Sequence, residues 1–430
     1  MQILYTIIYT VGFILMSPAF LYKMWKRGKY RENFWQRFGT YSPELRQRLA
    51  GKTGPRCWIQ AVSVGEVNLA LTFNPVLRAQ LPQFQIVVTT TTSTGYALAR
   101  ERLPKDVVLL YFPQDFPWTV RRAYDLIAPD FVVLVESEVW PNHIWEGARR
   151  KLPIVLINAR MSPRSARRHR KSRWLFRSVW DKFTLVCAQS KDDEENFRSL
   201  DVPNLHLTGN IKYDASLPQA GKQSVDPAQV LREIGVEPTR PIIVAGSTWP
   251  GEEELLFDAL PELRAKVPGL FLVLVPRHFE RTPEIVELAN RKQVTLALRK
   301  PGGPVAKTPD CLVVNTTGEL KAFYQIATVI FVGKSLAGNI GGQNIVEAAA
   351  SGHPVVFGPN MQNFREISRQ FVAENAAVQV QDVYELRHAL RDLLHDEHLR
   401  QKICAASQRV IAANVGATER TVALIADALR

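Results

Sequence analysis

Acidic side chains follow two apolar runs of this sequence, at the points where strands would end. Glu66 stands in the turn SVGE, and Glu136 and Glu138 follow the run FVVLV. A carboxylate placed in a cleft within reach of a substrate hydroxyl can act as a general base. The alternatives are a favourable charge in the first turn of a helix for Glu66 and a solvated acidic loop for the other two.

Two basic residues occupy similar places. Lys212 lies in GNIKYD, and Arg277 follows the strongly apolar run LFLVLVP. The planar guanidinium of an arginine suits a phosphate or carboxylate group. Lys212 could equally be a solvated lysine, and Arg277 could belong to a surface ion pair. His278 stands alone, which favours a hydrogen-bonding or structural role over metal binding.

Two predicted helix starts in the second half could hold a nucleotide. Thr317, Gly318 and Glu319 open one helix, and a glycine-rich loop leads to another whose first turn contains Asn344 and Glu347. Free N–H groups at a helix start bind phosphate, and a glutamate one turn along can accept hydrogen bonds from ribose hydroxyls. Helix capping and a tight structural turn are the alternatives. The sequence contains no Walker A, GxGxxG or HExxH motif, so we predict no metal and no cofactor.

The elements that would position these residues form two similar series. Apolar runs separated by helix-length segments indicate parallel sheets buried on both faces, where ligands bind beyond the carboxyl ends of the strands. We therefore predict an α/β fold with two doubly wound, Rossmann-like domains facing a central cleft, joined by a linker at 215–238. The predicted strands cover 57–62, 85–91, 107–112, 131–137, 154–160 and 185–190, then 241–247, 270–276, 294–298, 311–317, 329–335 and 354–359.

Composition limits the partners only broadly. The 430 residues include 54 Lys and Arg against 41 Asp and Glu, a formal charge of +13. This surplus favours anionic partners, whether nucleic acid, anionic lipid or phosphorylated substrates. The four cysteines lie far apart without a CxxC pair, which indicates buried, reduced thiols.

The amino terminus is predicted to associate with a membrane. Residues 3–22 carry no charge and are long enough to span a hydrocarbon core. Because the basic flank follows the apolar run, we expect no cleavage and a cytoplasmic location for everything beyond it. Gly12 and Pro18 leave open a segment that lies in the interface, and a buried helix is the further alternative. The flank contains Lys23, Lys26, Arg27, Lys29, Arg31 and Arg37.

The ordered set of motifs resembles the bacterial 3-deoxy-D-manno-octulosonic acid (Kdo) transferases. The similarity extends over nearly the whole chain and includes the amino-terminal segment with its WQRFG stretch. Two positions depart from the pattern, since Gln343 replaces a common histidine and Lys334 a common glycine. The matching motifs are SVGE, ESEVWPN, NAR at 158–160, GNIKYD, LVPRHFER, TTGEL and GGQNIVEAAASGHPVVFGP.

The resemblance implies a GT-B glycosyltransferase that moves Kdo from CMP-Kdo to a phosphorylated lipid A precursor, lipid IVA, with inversion. It also implies a place at the inner membrane, with the catalytic domains on the cytoplasmic face. By resemblance, Glu66 is the general base, and Glu136 and Lys212 stabilise the transition state. The residues implied to bind CMP are Pro276, Arg277, Thr317, Gly318, Glu319, Asn344, Ile345, Val346 and Glu347.

These inferences define three parts of the chain. We predict a membrane-associating segment with its basic flank at 1–40, an acceptor domain at 41–220 and a CMP-sugar-binding domain at 221–430. The last helix is expected to pack back on the acceptor domain. A second basic run at 160–177 is either a solvated helix face or a patch for acceptor phosphate or membrane.

Two other functions remain open at this point. One is a related GT-B transferase that uses another nucleotide sugar and another lipid. The other is a non-catalytic, membrane-attached protein that binds nucleotides or nucleic acid. A nucleic-acid surface would need Lys and Arg clustered along one surface with interleaved aromatics. The basic residues here are concentrated instead beside the apolar terminus and in the run 160–177. We therefore expect membrane lipid, CMP-Kdo and the lipid acceptor as partners, and no nucleic acid.

Overall fold

The chain folds into two compact units, each built around its own parallel sheet. The first unit contains Met1–Ala215 and Val415–Arg430, and the second contains Ser216–Asn414. The carboxyl-terminal residues therefore belong to the first unit. The predicted boundary between residues 220 and 221 lies outside the described residues. The computed structural model describes residues 1–27, 33–217, 225–300 and 309–430.

Seven strands form the sheet of the first unit: β1 (Arg56–Gln60), β2 (Gln85–Thr90), β3 (Val108–Tyr111), β4 (Phe131–Val135), β5 (Ile154–Ala159), β6 (Leu185–Ala188) and β7 (Leu205–Leu207). Their order is β3-β2-β1-β4-β5-β6-β7, and all of them are parallel. Every residue of β1, β4, β5 and β6 is buried, which explains why these runs lack polar alternation. The order reverses between β1 and β4, and such a switch point is where ligands bind in doubly wound sheets.

Helices connect these strands, and side-chain caps fix where several of them begin. Ser63 caps α3, for example, because its hydroxyl oxygen accepts a hydrogen bond from the Glu66 N–H. The helices are α1 (Gln2–Arg27), α2 (Pro43–Ala50), α3 (Val64–Gln80), α4 (Ser93–Arg102), α5 (Pro117–Ile127), α6 (Pro141–Arg149), α7 (Pro163–Lys171), α8 (Arg173–Trp180), α9 (Lys191–Arg198) and α10 (Ile211–Ser216).

The second unit repeats this plan. Its parallel sheet has the order β10-β11-β9-β8-β12-β13-β14, so the switch point lies between β8 and β12. All residues of β9 and β12 are buried. The strands are β8 (Ile242–Thr248), β9 (Phe271–Pro276), β10 (Leu296–Leu298), β11 (Cys311–Val313), β12 (Val329–Val332), β13 (Val355–Phe357) and β14 (Val378–Gln379).

The remaining helices cover this second sheet, except for the last, which lies in the first unit. There α19 contacts α3 and β6. These helices are α11 (Pro227–Glu233), α12 (Glu252–Lys266), α13 (Thr282–Arg291), α14 (Leu320–Tyr324), α15 (Ile345–Ala349), α16 (Arg365–Ala373), α17 (Val383–His395), α18 (Glu397–Asn414) and α19 (Ala417–Ala428).

Helix α1 packs on the first unit through one face. The Tyr5 hydroxyl donates to the Asp115 carboxylate at 2.9 Å, and the Tyr9 hydroxyl donates to Gln114 at 2.9 Å. The other face exposes a row of apolar side chains that includes Ile7 and Leu15. No helix in the described part of the chain is both long and apolar enough to cross a membrane. Lys29, Arg31 and the side chains of Lys23, Lys26 and Arg27 lie outside the described residues.

The structure differs from the sequence prediction at two short strands and at the linker. We did not predict β7 or β14, which contain three and two residues at the edges of their sheets. The linker prediction is wrong for 227–233, which form α11. Asp226 caps this helix, and its Val230 and Leu231 side chains are buried.

Candidate active site

Glu66 lies in the first turn of α3, directly after β1. Its carboxylate accepts hydrogen bonds from the Val62 N–H at 2.8 Å and from the Ser63 hydroxyl at 2.9 Å. The side chain is therefore held against its own turn in the manner of a capping box. It is also only 6% exposed, which distinguishes it from an ordinary solvated helix-start acid.

The environment of Glu66 favours its neutral form more than water does. Burial raises the pKa of Glu66 to about 7, the nearby carboxylates of Glu138 and Glu136 add to that shift, and the hydrogen bonds from Val62 and Ser63 oppose it. A carboxylate that changes protonation state near neutral pH can both take and release a proton efficiently. The structure thus gives Glu66 the property that a general base requires.

Glu136 immediately follows β4, on the other side of the switch point from Glu66. The strand ends at Val135, so Glu136 and Glu138 do not share a strand face. Glu136 adopts a left-handed backbone conformation with φ of 60°, an arrangement that costs on the order of 1–3 kcal/mol in a non-glycine residue. Its buried carboxylate bonds Lys212 Nζ through Oε1 at 2.7 Å and Arg160 Nε through Oε2 at 2.9 Å.

Lys212 reaches this carboxylate from the start of α10. The Lys212 N–H donates to Asn210 Oδ1 at 3.0 Å, and the preceding Ile211 N–H donates to Asn158 Oδ1 at 2.8 Å. Asn158 is fully buried at the end of β5. These two side-chain amides fix the beginning of α10, and they therefore position Lys212 against Glu136.

Glu138 completes the acidic part of the site. Its carboxylate accepts a hydrogen bond from Trp140 Nε1 at 2.7 Å, so the turn after β4 is packed and is not the solvated acidic loop that the sequence left open. Burial raises the pKa of Glu138, the Trp140 hydrogen bond and the Arg160 charge oppose that shift, and Glu136 adds to it. The first unit thus brings three glutamates and two cations together at the carboxyl edge of its sheet.

A pocket in the second unit collects four of the nine predicted nucleotide-binding residues. Pro276 and Arg277 at the end of β9 line it together with Thr317 and Gly318. Gly318 has φ of 86°, and a Cβ atom there would meet nothing within 4 Å, so the loop backbone faces open space. Ser247, Val275, Phe279, Thr316 and Leu320 complete the lining.

The other predicted nucleotide-binding residues lie beside this pocket rather than in its lining. The Glu319 carboxylate accepts a hydrogen bond from Arg299 Nε at 2.9 Å. Glu347 on α15 lies 3.8 Å from Lys321 on α14, measured from Oε1 to Nζ, and the two helices are in contact. Glu319 and Glu347 therefore both have a basic side chain of the second unit as neighbour.

The start of α15 has less free backbone than its glycine-rich approach suggested. The Asn344 side chain accepts a hydrogen bond from the Val346 N–H at 3.1 Å and donates to the Ser216 hydroxyl at 2.8 Å. The side chains of Ile345 and Val346 are fully buried. These two residues can therefore contact a ligand only through backbone atoms, and the Val346 N–H already has an intramolecular partner.

The switch point of the second sheet contains a carboxylate that the sequence did not reveal. Glu252 is fully buried and accepts hydrogen bonds from the backbone N–H groups of Trp249, Lys334, Ser335 and Leu336, at 2.8 to 3.0 Å. It joins the turn after β8 to the turn after β12. This arrangement could not be recognised in the sequence, because three of the four donors lie far from Glu252 along the chain.

Lys334 occupies one of these turns in an unusual conformation. Its φ of 59° lies in the left-handed region, which glycine adopts most easily. This explains why glycine suits the position that departs from the family pattern. Lys334 Nζ lies 4.5 Å from the centre of the Trp249 ring, so its charge is held over an aromatic face.

No group of three or more His, Cys, Asp or Glu side chains among the described residues has an arrangement that could hold a metal ion. Cys57, Cys187 and Cys311 are buried free thiols, and Cys404 is partly buried.

Comparison with known proteins supports the resemblance that the sequence motifs indicated. A family model described as 3-deoxy-D-manno-octulosonic-acid transferase (kdotransferase) matches residues 32–215. The 3-deoxy-D-manno-octulosonic acid transferase of Haemophilus influenzae is 32% identical over 397 residues, which cover 89% of this chain and 92% of that protein. The transferase of the same name from Bordetella pertussis is 30% identical over 442 aligned positions, or 98% of each chain.

Solved structures share the architecture at low sequence identity. The crystal structure of HepE from Anabaena in complex with UDP has a TM-score of 0.58 with 14% identity, covering 87% of this chain and 99% of that one. The two parallel α/β sheets and these relatives define a glycosyltransferase that fits the GT-B fold class. The chain belongs to the 3-deoxy-D-manno-octulosonic acid transferase family, and the family prediction made from the motifs is confirmed.

Proposed function

We propose that this protein transfers Kdo from CMP-Kdo to a hydroxyl of a phosphorylated lipid A precursor, with inversion at the anomeric carbon. The observation that carries the proposal is Glu66, a buried carboxylate whose pKa is raised to about 7, beside Glu138 and the cation-paired Glu136. Membership of the Kdo transferase family supports the donor sugar. The acceptor and the CMP group rest on the resemblance of the motifs.

In this proposal Glu66 removes the proton from the acceptor hydroxyl. The hydroxyl oxygen forms a bond to the anomeric carbon of Kdo while the bond from that carbon to the CMP phosphate oxygen breaks. The electron pair of the broken bond leaves with CMP, and the proton remains on Glu66 until solvent removes it. The hydrogen bonds from Val62 and Ser63 hold the carboxylate in place before the reaction.

Glu136 and Lys212 would stabilise charge during this step. Lys212 is a cation held 2.7 Å from Glu136 Oε1, and its side chain is 16% exposed. A fixed cation in a partly dehydrated site stabilises a developing negative charge more strongly than a solvated one. Glu136 holds that cation through its Oε1 atom. Its Oε2 atom forms a second ion pair, with Arg160.

The pocket of the second unit would hold CMP. Pro276 and Arg277 would meet the nucleotide on one side, and Thr317 and Gly318 on the other. The Arg277 guanidinium suits the phosphate. Glu319 and the residues Asn344, Ile345, Val346 and Glu347 would complete the nucleotide contacts from the adjoining helix starts. The transfer further requires the donor held there to reach Glu66, which is why we propose that the two domains face a common cleft.

Helix α1 would bind the inner membrane from its cytoplasmic face. Hydrogen bonds and aromatic contacts fasten one side of α1 to the first unit. The opposite side exposes a stripe of apolar side chains, and a helix of this type lies with its apolar face in the lipid boundary. This stripe consists of Ile3, Leu4, Ile7, Ile8, Val11, Ile14 and Leu15.

Product analysis by mass spectrometry tests the proposed function. Purified protein is incubated with CMP-Kdo and lipid IVA, and in parallel with UDP-sugars and the same lipid. We expect the mass of lipid IVA to increase by one or more Kdo units, with release of CMP. Transfer from a UDP-sugar instead, or no transfer from any donor, would contradict the proposal in favour of one of the two alternative functions.

A further inference from the structure

Arg160 is attached to the predicted transition-state residue Glu136 at two points. It follows β5, and its N–H donates to the Glu136 carbonyl oxygen at 3.2 Å. Its Nε atom forms the ion pair with Glu136 Oε2 at 2.9 Å. The backbone and side chain of Arg160 are therefore both fixed relative to the site, which means that the rest of its guanidinium has a defined direction.

The terminal nitrogens of this guanidinium do not take part in the ion pair with Glu136. Its two terminal nitrogens carry four N–H donors, and none of them has a hydrogen-bond partner among the residues that the structure describes. The side chain is 42% exposed, whereas that of Lys212 on the other oxygen of Glu136 is 16% exposed. Arg160 thus presents its terminal N–H donors to solvent from the same carboxylate that holds Lys212.

The guanidinium fork of Arg160, and not the net charge around it, makes an anion the ligand that fits, because three carboxylates and two cations lie together here. Glu136 is bonded to both Arg160 and Lys212, while the nearby Glu138 and Asp193 carboxylates feel the Arg160 charge without bonding it. A guanidinium with one edge fixed and two terminal nitrogens free matches the two oxygens of a carboxylate or phosphate. A solvated lysine in the same place would offer no such fork.

We infer that Arg160 binds an anionic group of a substrate through its two terminal nitrogens. The inference rests on the proposed function, because it places the anion beside the reaction that Glu66 would catalyse. Two sources carry the required chemistry: the carboxylate or phosphate of the donor, and a phosphate of the lipid acceptor. The alternative, a structural partner of Glu136 alone, predicts that stability or kcat changes with Arg160 while the KM and Kd of both substrates stay the same.

The test measures steady-state kinetics of Arg160→Gln and Arg160→Lys, with each substrate varied in turn. Arg198→Gln is the matched control, because Arg198 is an exposed arginine of the same unit paired with Glu194. Thermal unfolding of each variant shows whether it is folded at the assay temperature. Equilibrium binding of CMP-Kdo and of lipid IVA is measured on the same proteins and does not depend on turnover.

We expect Arg160→Gln to raise the KM or Kd of one substrate at least tenfold, with Arg160→Lys intermediate and Arg198→Gln unchanged. A change confined to CMP-Kdo assigns the anion to the donor, and one confined to lipid IVA assigns it to the acceptor phosphate. A further variant, Arg160→Ala, should show the same loss of substrate affinity, and free guanidinium at millimolar concentration should restore part of that affinity.

Unchanged KM and Kd values for both substrates in Arg160→Gln would overturn the inference, as would a loss of activity that follows only from a lower unfolding temperature. Failure of the proposed function gives a different result. In that case the wild-type protein transfers no Kdo, whereas the binding measurements still report on Arg160 with whichever substrate the protein retains.

Discussion

The Nζ atom of Lys212 lies 2.7 Å from Oε1 of Glu136, although β5, β6 and β7 separate the two residues in the chain. Glu136 reaches the pair from the end of β4, and Lys212 reaches it from the start of α10. The pair therefore depends on the tertiary arrangement of the first unit and not on any local motif. We therefore expect the two residues to act as one functional group.

Glu136 and Lys212 should consequently show non-additive effects on the reaction rate. We expect Lys212→Gln and Glu136→Gln each to lower kcat by roughly 10²–10³-fold. The double variant should lose much less than the product of the two. Steady-state kinetics of the four proteins measure this, with the exposed Lys182→Gln as control. Losses that multiply fully would show that the two residues act independently.

The pKa of Glu66 predicts how the reaction depends on pH. Because burial, with Glu138 and Glu136, raises this pKa to about 7, the base is protonated in acid and kcat/KM should rise with pH through about 7. Glu138→Gln removes one neighbouring negative charge, so the rise should move to lower pH. The pH profile of kcat/KM for both proteins checks this, and identical profiles would contradict the coupling between the two glutamates.

The raised pKa of Glu66 also makes the stability of the fold depend on pH. Stability changes with pH in the opposite direction to kcat/KM. The folded-state pKa of Glu66 is about 7 and the ordinary value is 4.5, so between these pH values the folded state binds more protons than the unfolded state. The contribution of Glu66 to the free energy of unfolding is thus present in acid and is lost as pH rises through about 7.

Arg277 should determine the affinity for the donor. It lines the pocket of the second unit, and we expect Arg277→Gln to raise the KM for the nucleotide sugar roughly 10–100-fold, as for a lost charge-assisted contact. Arg291→Gln is the control, since Arg291 forms an exposed pair with Glu287 on α13. A donor KM equal to that of wild type would exclude Arg277 from the donor site.

Asp214 should stabilise the packing of the last helix. Its carboxylate accepts hydrogen bonds from the N–H groups of Gly416 and Thr418 and from the Thr418 hydroxyl, at 2.6 to 2.8 Å. Asp214→Ala should lower the free energy of unfolding of the first unit by about 1–2 kcal/mol. Hydrogen exchange of the α19 amides reports this locally, with the exposed Asp181→Ala as control. Unchanged exchange in α19 would contradict the capping role.

The sequence predicted the strands and the strand-end acids because both follow from local patterns. Buried parallel strands appear as continuous apolar runs, and the residues just beyond them must reach the carboxyl edge of the sheet, as Glu66 and Glu136 do. Short edge strands such as β7 bury too few side chains to appear in the sequence as a continuous apolar run. The segment 215–238 lacks strong periodicity and predicts a linker, yet its residues 227–233 form α11.

The contacts that complete the site could not be predicted in the same way. The ion pair of Arg160 with Glu136 becomes visible only when β4 and β5 are adjacent, since the two residues directly follow these neighbouring strands. Glu252 resembles any acid in the first turn of a helix until the turn after β12 brings its three amides to the carboxylate. Only one feature of the sequence marks Lys334, namely that it stands where glycine is common. The positive φ of Lys334 explains why glycine suits this position.

The central claim is that Glu66 takes the proton from the acceptor hydroxyl. The most direct test is the single-turnover rate of Kdo transfer to lipid IVA by Glu66→Gln, with the exposed helix-start variant Glu44→Gln as control. An amide at position 66 can still accept the Val62 hydrogen bond, so the fold and the donor site should persist.

We predict that Glu66→Gln lowers the transfer rate by roughly 10²–10⁴-fold, while its Kd for CMP-Kdo stays within about twofold of wild type and Glu44→Gln transfers at the wild-type rate. A Glu66→Gln protein that transfers Kdo within about tenfold of wild type would contradict the claim, because its side chain cannot accept the proton.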